Sequence, residues 1–245
     1  MFTTYLALAA ICFAGAILQT SIGFGHPVFA MIFYSMLFPL PTATTICQTS
    51  GIVGVAYIFF KYIKQVRWKV LLPFLLCAIV SGTYLTWYSN KLNMSSLKIY
   101  MGIVLALIAV FMVFLNKKIK LKPTPAVGCT MGVVSGAMNG FFAIGGPPVA
   151  LYLLPAINDK IGYLASANAY FFIFKVFNLP LRFMNGSIGK EHIGYLVCSM
   201  VFMTLGTKVG EKVMLRINKE LLSKLVYIFV FISGVIIVVQ ELLKR

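Results

Sequence analysis

The chain has 245 residues, of which 60% are apolar and only 11% are charged. A soluble domain carries roughly 25% charged residues, whereas residues 1–60 of this chain contain no Lys, Arg, Asp or Glu. Apolar runs of about 20 residues cross a bilayer as helices. The composition therefore excludes an ordinary soluble domain and predicts an all-α, polytopic membrane protein. The net charge of +16 does not indicate a nucleic-acid partner, because Lys and Arg lie mostly in short loops, where they set membrane orientation.

In chain order, the sequence predicts ten apolar segments in two groups of five. A basic, proline-containing connecting loop at 116–125 separates a first transmembrane repeat (1–115) from a second (126–245). The predicted segments are 3–22, 26–38, 42–60, 70–88, 97–115, 126–143, 147–157, 162–179, 192–207 and 221–240. The second segment of each group is short, which is typical of a half-helix or a re-entrant piece rather than a full span.

The two halves align as internal repeats without a gap through their first segments. Placing Gly15 on Gly136 brings Gly25 onto Gly146, and the following prolines also coincide. Two basic loops, at 61–69 and 117–122, lie on the same side of the membrane. If each half crosses the membrane an odd number of times, more Lys and Arg fall on that side than if the number of crossings is even. Because Lys and Arg near span ends favour the cytoplasmic side, this indicates inverted repeats.

Each half contains one glycine- and proline-rich break, "SIGFGHPVF" (21–29) and "FAIGGPPVA" (142–150). Irregular backbone at membrane depth is tolerated only where it is buried in protein or lines a cavity. Matching breaks in two repeats indicate a transporter's central site, and a helix N-terminus favours an anion. We therefore expect two broken helices to meet at the membrane centre, with Gly25, Gly145 and Gly146 exposing backbone to a ligand. The alternative is that both breaks are kinks for helix packing.

The carboxylates all lie near predicted segment ends, which argues against a cation or metal transporter and favours an anionic or neutral substrate. Lys175 lies well inside a segment and either binds the anion or snorkels to the interface. His26 lies inside the first break and either donates to an anion and carries a proton or caps a helix. Arg182 lies nearer the surface, where an interfacial anchor is favoured over a fork for an oxyanion.

Neutral amides complete the predicted substrate site. Gln19 and Asn139 lie near the breaks, while Gln48 and Asn168 occupy roughly equivalent positions on the following segments. Such amides either contact the substrate or hold helices together. The sequence predicts no catalytic residue, no metal site and no cofactor.

Four stretches resemble the TauE/SafE permeases, which are sulfite and organosulfonate exporters. They are "GAILQTSIGFGHPVFAM", "SGAMNGFFAIGGPPVALYLL", "SANAYFFIFKVFNLPLRF" and "GTKVGEKVMLRINKELLSKLVYIFVFISGVIIV". The resemblance covers nearly the whole chain and departs at "GFGHP", which replaces a fuller glycine run. It implies a multi-pass permease of the plasma (inner) membrane for sulfite, organosulfonates, other sulfur compounds or some organic acids.

The expected partners are a small anion and the lipid bilayer, with transport by alternating access. An anion channel or a carboxylate transporter is the alternative. An intramembrane enzyme is a distant one, because paired aspartates and H-E-x-x-H are absent, although a dyad of His26 with a serine is left open. An assembly subunit is equally distant. Proton coupling and a homodimer are left open.

Overall fold

The computed structural model describes residues 2–89, 124–185 and 188–218, together with the single positions 103, 220, 221, 224, 225, 228 and 232. Within these ranges the chain is all-helical. The α-helices are α1 (Phe2–Ile22), α2 (His26–Leu37), α3 (Leu40–Lys61), α4 (Trp68–Ser89), α5 (Pro125–Phe142), α6 (Gly146–Ala156), α7 (Lys160–Met184) and α8 (Ile193–Arg216). The prediction of an all-α protein is confirmed. The predicted segments 97–115 and 221–240 lie outside the described residues, apart from a few single positions.

Within the described residues, five helices are long and apolar enough to cross a membrane: α1, α3, α4, α7 and α8. The chain is therefore a multi-pass membrane protein. By contrast, α2 has 12 residues and α6 has 11. At 1.5 Å per residue these helices are roughly 18 and 16 Å long, which is too short for a hydrocarbon core of about 30 Å. Neither short segment is a full span.

Two helices extend beyond their predicted ends. The prediction ended α7 at 179, but the helix continues through Pro180 to Met184. It also ended α8 at 207, whereas the helix continues to Arg216. Helix α7 passes through Pro180 because neighbouring groups in a membrane protein can satisfy the backbone carbonyl that proline frees. Helix α8 continues past 207 because its charged last turns are still helical although they are no longer apolar.

Helix directions follow from the contacts between the halves. Near the start of both α1 and α8, Cys198 donates from its Sγ to the carbonyl of Tyr5, and near their ends Ser21 donates to the carbonyl of Gly210. These two helices are therefore parallel. Helices α4 and α5 are also parallel, because Pro73 contacts Cys129 near their starts and Thr86 contacts Gly140 near their ends. Helices α3 and α7 are antiparallel, because Thr44 contacts Arg182 whereas the later Gln48 contacts the earlier Lys175.

It follows that α1, α3 and α8 run one way and α4, α5 and α7 run the other. Helices at equivalent positions of the two halves are thus antiparallel, and α1 of the first half packs on α8 of the second while α4 packs on α5. Inverted repeats require this arrangement, so the described helix directions are compatible with the inversion predicted from the distribution of Lys and Arg. We call the two ends of the bundle the Tyr5 end and the Asp159 end, after residues that lie there.

Glycines let the helices of the two halves approach closely. Gly132, Gly136 and Gly140 of α5 lie against the backbone of α4, and Gly206 and Gly210 of α8 lie against the backbone of α1. Small residues at four-residue spacing are typical of membrane helix pairs, where close van der Waals packing replaces the hydrophobic effect. Each half is therefore packed tightly onto the other.

Ion pairs join the halves at the Asp159 end. Glu211 of α8 accepts hydrogen bonds from Tyr57 (2.9 Å), Lys61 (2.9 Å) and Tyr62 (2.7 Å). Arg67, just before α4, pairs with Asp159 at 2.7 Å. Burial raises the pKa of Asp159, but hydrogen bonds from Arg67 and from the N-terminal backbone of α7 outweigh it and lower that pKa below its usual value.

Candidate functional site

Both predicted breaks are present, and each one ends a long helix and starts a half-helix. In the first break Gly23 (φ 88°) and Gly25 (φ 130°) adopt backbone conformations that a side chain disfavours. In the second, Ala143 is left-handed (φ 61°) and ends α5. A proline lies within the first two positions of both half-helices, where a missing N–H loses no helical hydrogen bond.

The two breaks contact each other inside the bundle. The ring of Phe24, in the first break, lies against Gly146, where α6 begins. Tyr163 of α7 donates to the carbonyl of Ile22 at 3.1 Å and so ties the end of α1 to the second half. Both half-helices therefore begin in the protein interior, with the positive ends of their dipoles there.

His26 opens α2 and is buried. Its Nδ1 lies 4.0 Å from the Sγ of Cys47, and its ring lies against Gly15 of α1. Its Nε2 has no hydrogen-bond partner in the described part of the chain. The imidazole thus offers one nitrogen to a ligand.

Lys175 does not snorkel. Its side chain is on α7, the residue is only 3% exposed, and its Nζ donates to the backbone carbonyl of Gln48 at 3.1 Å. A Cβ placed on Gly51 would lie 2.9 Å from this Nζ and 3.2 Å from Nδ1 of His26. The ammonium and the imidazole therefore converge on the space that Gly51 leaves open.

Gln48 and Asn139 link the first half to the second break. The Nε2 of Gln48 donates to the Oδ1 of Asn139 at 3.1 Å, and Asn139 donates to the hydroxyl of Tyr170 at 3.5 Å. The Oε1 of Gln48 has no partner within the described residues. The Cα of Gly145 lies beside the Asn139 side chain, and the Gly145 carbonyl accepts from Ser135 at 2.7 Å.

The remaining predicted amides, Gln19 and Asn168, donate to backbone carbonyls of other residues. Gln19 donates to the carbonyl of Gly23 at 3.2 Å and so supports the first break. Asn168 donates to Leu164 on its own helix at 2.8 Å, and its Oδ1 is buried without a partner in the described ranges. The structure thus brings together His26, Gln48 and Lys175 with the second break, whereas Gln19 and Asn168 hydrogen-bond to backbone carbonyls of the first break and of α7.

Arg182 is the residue that sequence reasoning misjudged. It was expected at the interface but is only 5% exposed. Its guanidinium donates to Thr44 (2.8 Å) and to the carbonyls of Asn139 (3.0 Å) and Gly140 (2.7 Å), which are unavailable to a surface anchor. Its spacing of seven residues from Lys175 places both on one helix face, and that signal could have found it.

Two buried positive charges therefore lack a negative partner among the described residues. Lys175 and Arg182 form no salt bridge, and every described carboxylate pairs elsewhere. The pairs are Asp159 with Arg67, Glu191 with His192, Glu211 with Lys61 and Glu220 with Lys224. A buried charge is costly unless it is paired, so this centre has the chemistry to hold an anion. No cluster of three or more His, Cys, Asp or Glu side chains suited to a metal ion occurs within the described ranges.

The family comparison agrees with this chemistry. The family model described as sulfite exporter TauE/SafE matches residues 7–237. The chain belongs to the TauE/SafE family. Comparisons with curated proteins and with solved structures gave no match. TauE/SafE is a family of membrane permeases, so the chain is a transporter of the anion-exporter type, in agreement with the expectation that it is not an enzyme.

Proposed function

We propose that this TauE/SafE protein is a secondary transporter that moves sulfite, an organosulfonate or a related sulfur oxyanion across the plasma membrane. The observation that carries the proposal is the pair of buried cations, Lys175 and Arg182, without a carboxylate partner in the described chain. An anion between the helices offsets their cost of burial. The family supports sulfur oxyanions over other anions.

The proposed binding site lies where the two breaks meet. The Nζ of Lys175 and the Nε2 of His26 supply the side-chain contacts to the anion. Gln48 orients Lys175 through its backbone carbonyl and Asn139 through its Nε2, and Asn139 fixes the second break beside them. The backbone of Gly25, Gly145 and Gly146 leads into the half-helices, whose N-termini favour negative charge. Gln19 supports the first break, and Asn168 lies on α7 nearly two turns before Lys175, with its Nδ2 donating to the carbonyl of Leu164.

Alternating access is the proposed mechanism. The half-helices start inside the bundle, and equivalent helices of the two halves run in opposite directions. Rocking of such halves exposes a central site to either side in turn. We further propose that His26 carries a coupling proton, because it is the group at this centre whose ordinary titration range includes neutral pH.

The test combines binding with transport. In the first experiment, thermal unfolding of the purified protein is followed with sulfite, thiosulfate, sulfoacetate, taurine, acetate, chloride and divalent cations. A specific ligand at a hundred times its Kd stabilises the folded state by about 2.7 kcal/mol. A saturable shift with sulfur oxyanions supports the proposal, a shift with acetate alone favours a carboxylate transporter, and a shift with cations alone overturns it.

The second experiment distinguishes a carrier from an anion channel. Liposomes loaded with unlabelled sulfite are diluted into a trace of labelled sulfite. A carrier transiently accumulates labelled sulfite inside the liposomes, because its site carries an unlabelled anion out and returns with a labelled one. With the membrane potential held at zero by valinomycin and equal potassium on both sides, a channel gives only equilibration without accumulation, and that result would reject alternating access.

A further inference from the structure

Polar side chains recur along one face of α7. Asn168, Lys175 and Arg182 are spaced by seven residues, or nearly two helical turns, so they lie above one another. All three residues are at least nine-tenths buried. Seven residues correspond to about 10.5 Å along the helix, so this ladder extends for about 21 Å through the bundle.

Lys175 and Arg182 of this ladder face α3. Arg182 contacts Thr44, and Lys175 contacts the carbonyl of Gln48 and lies against Gly51. Because α3 and α7 are the same element of the two halves, the seam between them lies where the halves meet. We call this line of side chains the α3–α7 seam.

Unsatisfied polar atoms concentrate on this seam. Buried polar groups in proteins almost always have a hydrogen-bond partner. The Oε1 of Gln48, the Oδ1 of Asn168 and the Nε of Arg182 have none within the described residues, and neither has the adjoining Nε2 of His26. The other such atoms are single hydroxyls of Thr49, Thr83 and Ser199. Among these atoms the Nε of Arg182 and the Nε2 of His26 can donate to an oxyanion, whereas the two amide oxygens are acceptors.

We propose that Arg182 is a second anion-binding residue on the translocation path, about 10.5 Å from Lys175 towards the Tyr5 end. A small oxyanion passes along the α3–α7 seam from one cation to the other, with the Nε of Arg182 as its donor. Asn168 lies the same distance from Lys175 on the opposite side. The inference rests on the proposed anion transport.

A purely structural role for Arg182 makes a different prediction. Its two Nη atoms clamp Thr44 to the carbonyls at the end of α5, and these contacts need the planar fork. The Nε lies outside this clamp. If only the clamp matters, lysine fails as badly as glutamine, because neither has the planar fork. An anion-binding role needs a positive charge with a hydrogen-bond donor, and the lysine ammonium supplies both in place of the Nε.

The experiment compares Arg182→Lys and Arg182→Gln in liposomes, using initial rates of labelled sulfite uptake. We expect Arg182→Lys to retain a rate within about threefold of the wild type, and Arg182→Gln to lose about tenfold or more, as for loss of a hydrogen bond from a charged group. Arg216→Gln, at the exposed end of α8, controls for net charge. Equal losses in the two Arg182 variants, or no loss in Arg182→Gln, would overturn the inference.

Thr44→Val keeps the experiment decisive if Arg182→Gln does not fold. It removes one acceptor of the clamp and leaves the charge, so we expect an uptake rate close to that of the wild type. A tenfold loss in this variant would assign Arg182 to the clamp. Wild-type protein that takes up neither sulfite nor any other sulfur oxyanion of the panel would defeat the proposed function itself, whereas uptake that needs Lys175 but not a charge at 182 would defeat only this inference.

Discussion

Phe24, in the first break, packs its ring against Gly146, the first residue of α6 in the second half. Both residues are buried. The contact is the point at which the two interrupted helices meet. Each break therefore depends on a residue of the other half for its position.

Gly146→Ala is expected to lower the free energy of unfolding by about 1–3 kcal/mol, because the added methyl group overpacks the contact with Phe24. Phe24→Leu in the same chain should recover part of this loss by making room. Thermal unfolding of the two single variants and the double variant measures the coupling. Strictly additive effects would contradict the described contact.

Lys175→Met is expected to abolish the sulfite-induced stabilisation of about 2.7 kcal/mol at a hundred times Kd. Without sulfite it should unfold at a higher temperature than the wild type, because an unpaired buried ammonium is replaced by an apolar side chain of similar length. Lys175→Arg is the matched control that keeps the charge. A Met variant that still responds to sulfite would remove Lys175 from the site.

His26→Gln is expected to flatten the pH dependence of sulfite uptake between about pH 5 and 8, where histidine ordinarily changes charge. Glutamine retains a hydrogen-bond donor but carries no proton. His192→Gln is the control, because His192 lies at the Tyr5 end beside Glu191. An unchanged profile in His26→Gln would reject proton coupling through this residue.

Asp159 combines an N-cap with an ion pair, and two substitutions separate them. It caps α7 through the N–H of Gly162 and pairs with Arg67. Asp159→Asn keeps the cap and should cost under about 1 kcal/mol, because both partners of the ion pair are about half exposed. Asp159→Ala loses the cap as well and should cost about 1 kcal/mol more.

The pH dependence of this contribution has a definite sign. The pKa of Asp159 is lower in the folded chain than in the unfolded one, so the stabilisation is present above the unfolded pKa of about 3.9. It is lost as the pH falls through the lower, folded pKa. The difference in unfolding temperature between wild type and Asp159→Asn should therefore narrow as the pH is lowered from 6. A difference that grows would contradict a lowered pKa of Asp159 in the folded chain.

Glu211→Gln is expected to cost roughly 1–3 kcal/mol, because it leaves Lys61 without its negative partner while one amide group replaces an acceptor of three hydrogen bonds. Glu220→Gln is the matched control, since its pair with Lys224 is mostly exposed and such pairs contribute at most about 1 kcal/mol. Equal unfolding temperatures for both variants would show that the hydrogen bonds of Glu211 do not stabilise the packing of α8 against the end of α3.

Much of the fold was predictable because hydropathy and glycine placement are local signals. The first half-helix was predicted at 26–38 and is His26–Leu37, since two glycines and a proline fix its start. The end of α7 was not predictable in the same way. Pro180 normally signals a stop, and only the surrounding helices determine that α7 continues through it.

The site was predictable in part. Residue type and depth selected His26 and Lys175, but one segment alone does not reveal whether a lysine reaches the interface or a carbonyl of another helix. The same limit explains Arg182, because its acceptors are on α3 and α5. Contacts between residues about 40 and 138 positions apart in the chain leave no local trace in the sequence.

The pairing of α1 with α8 also constrains the order of assembly during synthesis. Ser21 meets its acceptor 189 residues later in the chain, so the first helix enters the bilayer long before its glycine-bearing partner exists. Until α8 is inserted, the surface of α1 that receives it must be shielded by lipid or by an insertion factor. If translation stops before residue 193, α1 therefore remains in the membrane without α8, and such an unpaired helix is a target for membrane quality control.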